Sequence, residues 1–144
     1  EKETARAEER ELVSGVFINR LRKGMKLQTD PTVIYGMGDQ FTGNLRLQDL
    51  RTATPYNTYV RHGLPPTPIA MPGGAALRAA LHPAATPALY FVSRGDGSHV
   101  FSETLQAHNQ AGAKYQLGGK PKNLSPGAPP GPTGGAPRGQ SATP

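Results

Sequence analysis

The sequence predicts an α+β fold: helices packed on a small antiparallel sheet, a loop-rich centre and a disordered C-terminal tail. Three observations carry that prediction. Leu12, Val13, Val16, Phe17 and Leu21 recur at three- and four-residue spacing, the period of a helix with one buried face. Residues 88–93 and 98–101 are short apolar runs joined by Arg94-Gly95-Asp96-Gly97, which reads as a β-hairpin. Between these two regions the chain is punctuated by glycine and proline from Gly36 to Gly73.

The first helix is expected over residues 5–23. Gly24 is a natural left-handed stop, and Arg20, Arg22 and Lys23 suit the negative end of the helix dipole. Lys26 to Gly36 is expected to run extended. Pro31 disfavours helix at the residue before it, which places Asp30 in a β or polyproline-like backbone. Residues 36–73 read as a long irregular stretch. Its aromatics, with Tyr35 at its edge and Phe41, Tyr56 and Tyr59 inside, mark it as ordered and functional rather than slack. A short helix is expected over Ala75 to Leu81, ending before Pro83. After the hairpin, Ser102 is the expected N-cap of a last helix that runs to about Gln116.

From Gly118 onward about half the residues are Gly or Pro, with Lys120, Lys122 and Arg138 and no acid. Such a segment cannot bury enough apolar surface to offset its ordering entropy, so residues 118–144 are expected to be disordered. This tail explains why only 35% of the 144 residues are hydrophobic. The remainder, residues 1–117, is enough for one domain with a modest core.

The net charge of +6 suits an acidic polymer, or simply solubility with a basic tail. No RNP-type aromatic run or zinc spacing supports nucleic acid as a partner. There are no cysteines, which excludes disulfides and thiolate metal sites. No signal peptide and no apolar run of about 18 residues is present. The chain opens at Glu1 with no start methionine and reads as a piece of something longer.

Candidate chemistry gathers in three runs. Glu1 and Glu3 are either solvated glutamates or a general acid whose pKa is raised by an apolar pocket. On a helix they would point roughly 200° apart, so one alone would face a given cleft, and periodicity does not choose between them. Asp30 is the single acid of the run from Leu27 to Gly36, suited to a turn or to orienting a substrate. Gln28, Thr29 and Asn57 have the groups to hydrogen-bond sugar hydroxyls or acetamides. Tyr35, Tyr56 and Tyr59 have ring faces for sugars, although a buried tyrosine with a satisfied hydroxyl is the plainer reading for at least one of them. His62, His82, His99 and His108 show no HExxH or compact cluster, so no metal and no cofactor is expected.

With these residues in view, the chain resembles the catalytic domain of the endolytic murein (lytic) transglycosylases, the MltG or YceG-like family. The runs that carry the likeness include Glu1-Lys2-Glu3-Thr4, Val16 to Leu21, Leu27 to Gly36, Tyr56-Asn57-Thr58-Tyr59, Gly63-Leu64-Pro65-Pro66, Leu89 to Val92 and Asp96 to Phe101. They cover residues 1 to about 117 in order; the tail lies outside the pattern. The resemblance implies that Glu3 is the catalytic acid. Gln28, Thr29, Asp30, Tyr35, Tyr56, Asn57 and Tyr59 are then candidates for orienting it and the sugars. It implies peptidoglycan glycan strands as the substrate and peptidoglycan synthases as neighbours. An inner-membrane anchor and a LysM-like module would stand upstream, with the catalytic domain facing the periplasm or cell wall. The rival readings are a peptidoglycan-binding module without catalysis, a glycan hydrolase, and a basic nucleic-acid-binding domain.

Overall fold

The computed structural model describes residues 1–117, and the expected tail at 118–144 lies outside the described residues. The fold is α+β. A 3-10 turn at Ala7–Glu9 leads into α1 (Arg10–Arg22). Helices α2 (Asp30–Met37), α3 (Leu47–Arg51) and α4 (Gly74–Leu81) follow. Strands β1 (Tyr90–Ser93) and β2 (His99–Ser102) form an antiparallel hairpin with Phe91 opposite Phe101, and α5 (Leu105–Leu117) closes the described chain.

Helix α1 ends as its sequence demands. Gly24 takes φ +71°, and the turn is sealed by Gly24 N–H to Leu21 O and Met25 N–H to Arg20 O. This is the left-handed stop in which two orphan carbonyls are satisfied. The face of α1 that carries Val13 and Val16 packs on Ala88 and Phe91, with Phe17 and Phe101 at the margin. At Gly15 the helix comes so close to residues 84–86 that an added Cβ would sit 2.7 Å from the Ala84 carbonyl oxygen.

Two expectations are corrected. Lys26 to Gly36 is not extended throughout, because helix begins at Asp30 with Pro31 in its first turn. The first-turn N–H groups have no intrahelical partner, so proline loses nothing there, and this outweighs its bias against helix at Asp30. Thr29 supplies the extended residue instead, at φ −115° and ψ 127°, and its carbonyl accepts the Thr32 hydroxyl at 2.7 Å. The last helix is capped by Thr104 rather than Ser102. The Thr104 hydroxyl accepts Ala107 N–H at 3.1 Å, while Ser102 ends β2 opposite Tyr90.

The central stretch is irregular as expected but holds α3. Asp49 starts that helix by accepting the Arg46 N–H at 2.8 Å and pairing with its guanidinium at 3.1 Å. A second small core of Val33, Leu50 and Tyr59 joins α2 and α3 to the loop that follows.

Candidate active site

Residues 1–6 are not helical, so the two glutamates are placed by tethers rather than by a helical period. Glu1 lies at the surface, its Oε1 accepting Gly73 N–H at 2.8 Å. That backbone donor holds its carboxyl below the usual range. Glu3 turns inward. It lines a cavity of about 330 Å³ with Phe17, Leu27, Leu64, Pro65 and Ile69. It also lines an adjoining one of about 350 Å³ with Asp30, Ile34 and Tyr35.

The Glu3 carboxyl is pushed from its ordinary 4.5 up to about 7. Removal of water by the apolar wall is the largest cause. The Thr29 hydroxyl, which donates to Glu3 Oε1, pulls the other way, and the negative charge of Asp30 reinforces the rise. Desolvation disfavours the charged form of a carboxyl, so Glu3 holds a proton near neutrality.

Helix α2 and the loop at residues 57–59 build the floor beneath Glu3. Gln28 adopts φ +51°, the one positive φ among the described non-glycine residues, and its N–H bonds Thr58 O at 3.2 Å. Thr29 N–H bonds the Thr58 hydroxyl at 3.0 Å, which sits 2.8 Å from the Thr32 hydroxyl. Asp30, 3% exposed, accepts the Tyr59 hydroxyl at 2.6 Å. Burial first, then the Asp30 charge, keeps that phenol protonated far beyond its ordinary range.

The structure therefore brings Glu3, Thr29, Asp30, Tyr35 and Tyr59 together, but not in equal roles. Tyr59 is buried, and its hydroxyl serves Asp30. Asn57 is 1% exposed, and its amide is committed to the backbone: it donates to Leu50 O at 3.0 Å and Thr52 O at 2.8 Å, and accepts Tyr59 N–H at 2.8 Å. Tyr35 is open to solvent, its ring 4.8 Å from that of Tyr56, whose hydroxyl meets Thr67 at 2.7 Å.

Sequence reasoning missed the walls. Phe17, Leu64 and Ile69 read as core or loop residues, and Leu64 is strongly exposed. The one available signal was the Gly63-Leu64-Pro65-Pro66 run, where rigid prolines flank an apolar side chain. It also missed Glu9, a buried acid bound to His99 Nδ1 at 2.8 Å. His108 is buried against the Tyr90 ring, and burial pushes it down to about 4. Among the described residues no three His, Cys, Asp or Glu side chains gather in a metal-binding arrangement, and no helix is long and apolar enough to cross a membrane.

The comparisons agree on one family. The sequence pattern described as the YceG-like family matches residues 1–114. The endolytic murein transglycosylase of Bacillus subtilis (strain 168) is 45% identical over 115 residues, which cover 80% of this chain and 32% of that protein. The protein of that name from Streptococcus pneumoniae (strain D39) is 31% identical over 121 residues, 80% of this chain and 22% of that one. A YceG-like protein from Listeria monocytogenes has a solved structure that superposes with a TM-score of 0.69 at 43% identity, covering 76% of this chain and 35% of that one. The chain thus spans between 22% and 35% of the length of these proteins. With the match extending from Glu1 into the helix that follows the hairpin, and with the fold shared at that identity, the chain belongs to the YceG-like family.

Proposed function

We propose that this chain carries the cleaving centre of an endolytic peptidoglycan lytic transglycosylase, with Glu3 as its acid and then its base. One observation carries the reading furthest. Glu3 stands on the shared wall of two cavities with its carboxyl pushed up to about 7. A group poised there has a proton to give at neutral pH and can take one back.

The bond cleaved is the β-1,4 link from N-acetylmuramic acid to N-acetylglucosamine. Protonated Glu3 gives its proton to the glycosidic oxygen. The bond from that oxygen to C1 breaks, and the glucosamine side leaves with a 4-hydroxyl. The muramic C6 hydroxyl attacks C1 and passes its proton to the Glu3 carboxylate. One C–O bond is broken, one is formed, and the catalyst regains its proton. No water is consumed, and the strand ends in a 1,6-anhydro ring. Hydrolytic glycosidases generally need a second carboxylate as nucleophile or base. Here the nucleophile is tethered to the reacting ring, which confers a large effective concentration.

The neighbours take supporting roles. The Thr29 hydroxyl orients the Glu3 carboxyl, and Asp30, held by Tyr59, adds to the burial that keeps the acid protonated. Tyr35 offers an exposed ring face to a sugar. Gln28, Asn57 and Tyr56 shape the loops around it. No cofactor takes part in this scheme. In the wider reading the parent protein is anchored in the bacterial inner membrane with this part facing the periplasm or cell wall, and limits nascent strands beside the peptidoglycan synthases.

The test is mass spectrometry of purified peptidoglycan after incubation with the intact protein and with Glu3→Gln. Anhydromuramic ends made by the parent and not by the variant are expected. Reducing ends would make it a hydrolase. Activity surviving in Glu3→Gln would move the acid elsewhere, and an inactive parent that still binds glycan would make it a binding module.

A further inference from the structure

Residues 1–6 carry Glu3 without a helix or strand to hold them. Between Glu3 and α1 the segment is anchored by a buried carboxylate, that of Glu9. Its Oε1 accepts the Thr4 hydroxyl at 3.3 Å and His99 Nδ1 at 2.8 Å, and its Oε2 accepts the His99 backbone N–H at 2.9 Å. Burial by itself pushes the Glu9 carboxyl up, but the donors outweigh it and hold the group below the ordinary range. An ionised carboxylate only accepts, so His99 Nδ1 carries the proton. His99 is fixed in turn, paired with Ser93 across the hairpin and set edge-on to Phe91 with ring centroids 5.3 Å apart. A second tether runs from Arg6 Nη2 to Asp96 O at the hairpin turn, 2.9 Å.

We propose that Glu9 and His99 are positioning residues for Glu3: through the Thr4 hydroxyl they clamp the irregular segment and keep the Glu3 carboxyl against its apolar wall. The inference rests on the reading of Glu3 as the acid. Thr4 is the residue after Glu3 and is itself buried, so the clamp acts one peptide away from the acid. Loss of water is the largest cause of Glu3's raised pKa, and water is what a loosened segment admits. The clamp therefore sets the protonation of the acid as well as its place. The charged and titratable side chains around Glu3 are Asp30 on α2, Tyr59 on the following loop, Lys2 beside it, and Glu1 and Arg10 along the adjoining cleft. None of them is altered by changing the clamp.

The experiment is the pH profile of kcat/KM, which reports the acid of the free protein, on purified glycan strands with the intact protein. It compares the parent with Thr4→Val, Glu9→Gln, His99→Leu and the conservative Thr4→Ser, with Glu3→Gln as reference. A protonated acid is needed, so the parent's rate falls as pH rises through about 7. Thr4→Val, Glu9→Gln and His99→Leu are expected to move that fall about one pH unit lower, with KM within about twofold. At pH 7 this is about a fivefold loss, largely recovered near pH 5. Thr4→Ser keeps the hydroxyl and the parent's profile. A fastening that merely joins α1 to the hairpin would lower the melting temperature and leave the profile of the folded protein unmoved. That result, or a loss equal at every pH, overturns the proposal while Glu3→Gln is inactive. An active Glu3→Gln overturns the reading beneath it instead. If Glu9→Gln or His99→Leu fails to fold, Thr4→Val decides, because a methyl replaces a hydroxyl with little change of shape.

Discussion

Around the hairpin the core is apolar, with Val13, Val16, Ala88 and Phe91 edged by Phe17 and Phe101, while Glu9, Arg20, Ser102 and His108 are buried at its margin. Around the central block the buried side chains are mostly polar. Thr29, Asp30, Thr32, Asn57 and Thr58 are all at most 7% exposed, and Val33, Leu50 and Tyr59 form the small apolar cluster among them. Apolar burial is strong but has no direction, so it fixes the presence of the fold more than the angle of any group. Hydrogen bonds contribute less net stability each, but they fix orientation, and leaving one unmade in the interior is costly. The half that must aim a carboxylate is the half built from directional contacts. Glu3 sits where the two meet, with Phe17 from one side and Thr29 and Asp30 from the other.

The sharpest way to break this contrast is Phe91→Ala. Phe91 is fully buried, and a cavity there should cost about 3 to 5 kcal/mol in a denaturation experiment. A loss below about 1 kcal/mol would mean that the polar half holds the fold unaided. Asn57→Ala comes next. It removes the donors to the Leu50 and Thr52 carbonyls and the acceptor for Tyr59 N–H, which should cost about 2 to 3 kcal/mol. Cleavage should fall at temperatures where circular dichroism still reports a folded variant. Full activity there would show that the loop's rigidity does not serve the site.

The smallest effect has the opposite sign. Glu3's pKa in the fold, about 7, lies above the ordinary 4.5 expected of the unfolded chain. Ionising it is therefore harder in the fold. The parent is at its full stability below about pH 4.5 and loses part of it as pH rises through about 7. Glu3→Gln carries no charge to desolvate. It should be more stable than the parent above pH 7, by about 2 kcal/mol, and equal to it near pH 4. Melting curves at the two pH values measure this, and a difference independent of pH would mean that Glu3 is hydrated.

The same contrast explains what could be read in the residues. The apolar half was legible because burial leaves a pattern: the three- and four-residue spacing of Val13, Val16 and Phe17 marks α1, and two short apolar runs about a glycine turn mark the hairpin. The polar half leaves no period. Helix α2 was hidden because Asp30-Pro31 looks alike whether proline opens a helix or extends a strand, and α3 is too short to show a face. Asn57 reads equally as a ligand for sugars or as a tie for carbonyls until its loop is seen closing around it. Glu1 and Glu3 differ only in what they face, which is a property of the fold.

Gly15 has a consequence for how this chain can vary. Judged as an isolated helix, α1 would gain from alanine at that position, since glycine is the poorer helix former by about 1 kcal/mol. Judged in the fold, that methyl would have to displace the Ala84 carbonyl and the Thr86 methyl, 2.7 and 2.8 Å from where it would sit. The residue that best serves the helix is thus one the molecule cannot accept without parting α1 from residues 84–86. Improving such a protein one element at a time would tend to select that change first, and the harm would surface where α1 meets that segment rather than in the helix that had been improved.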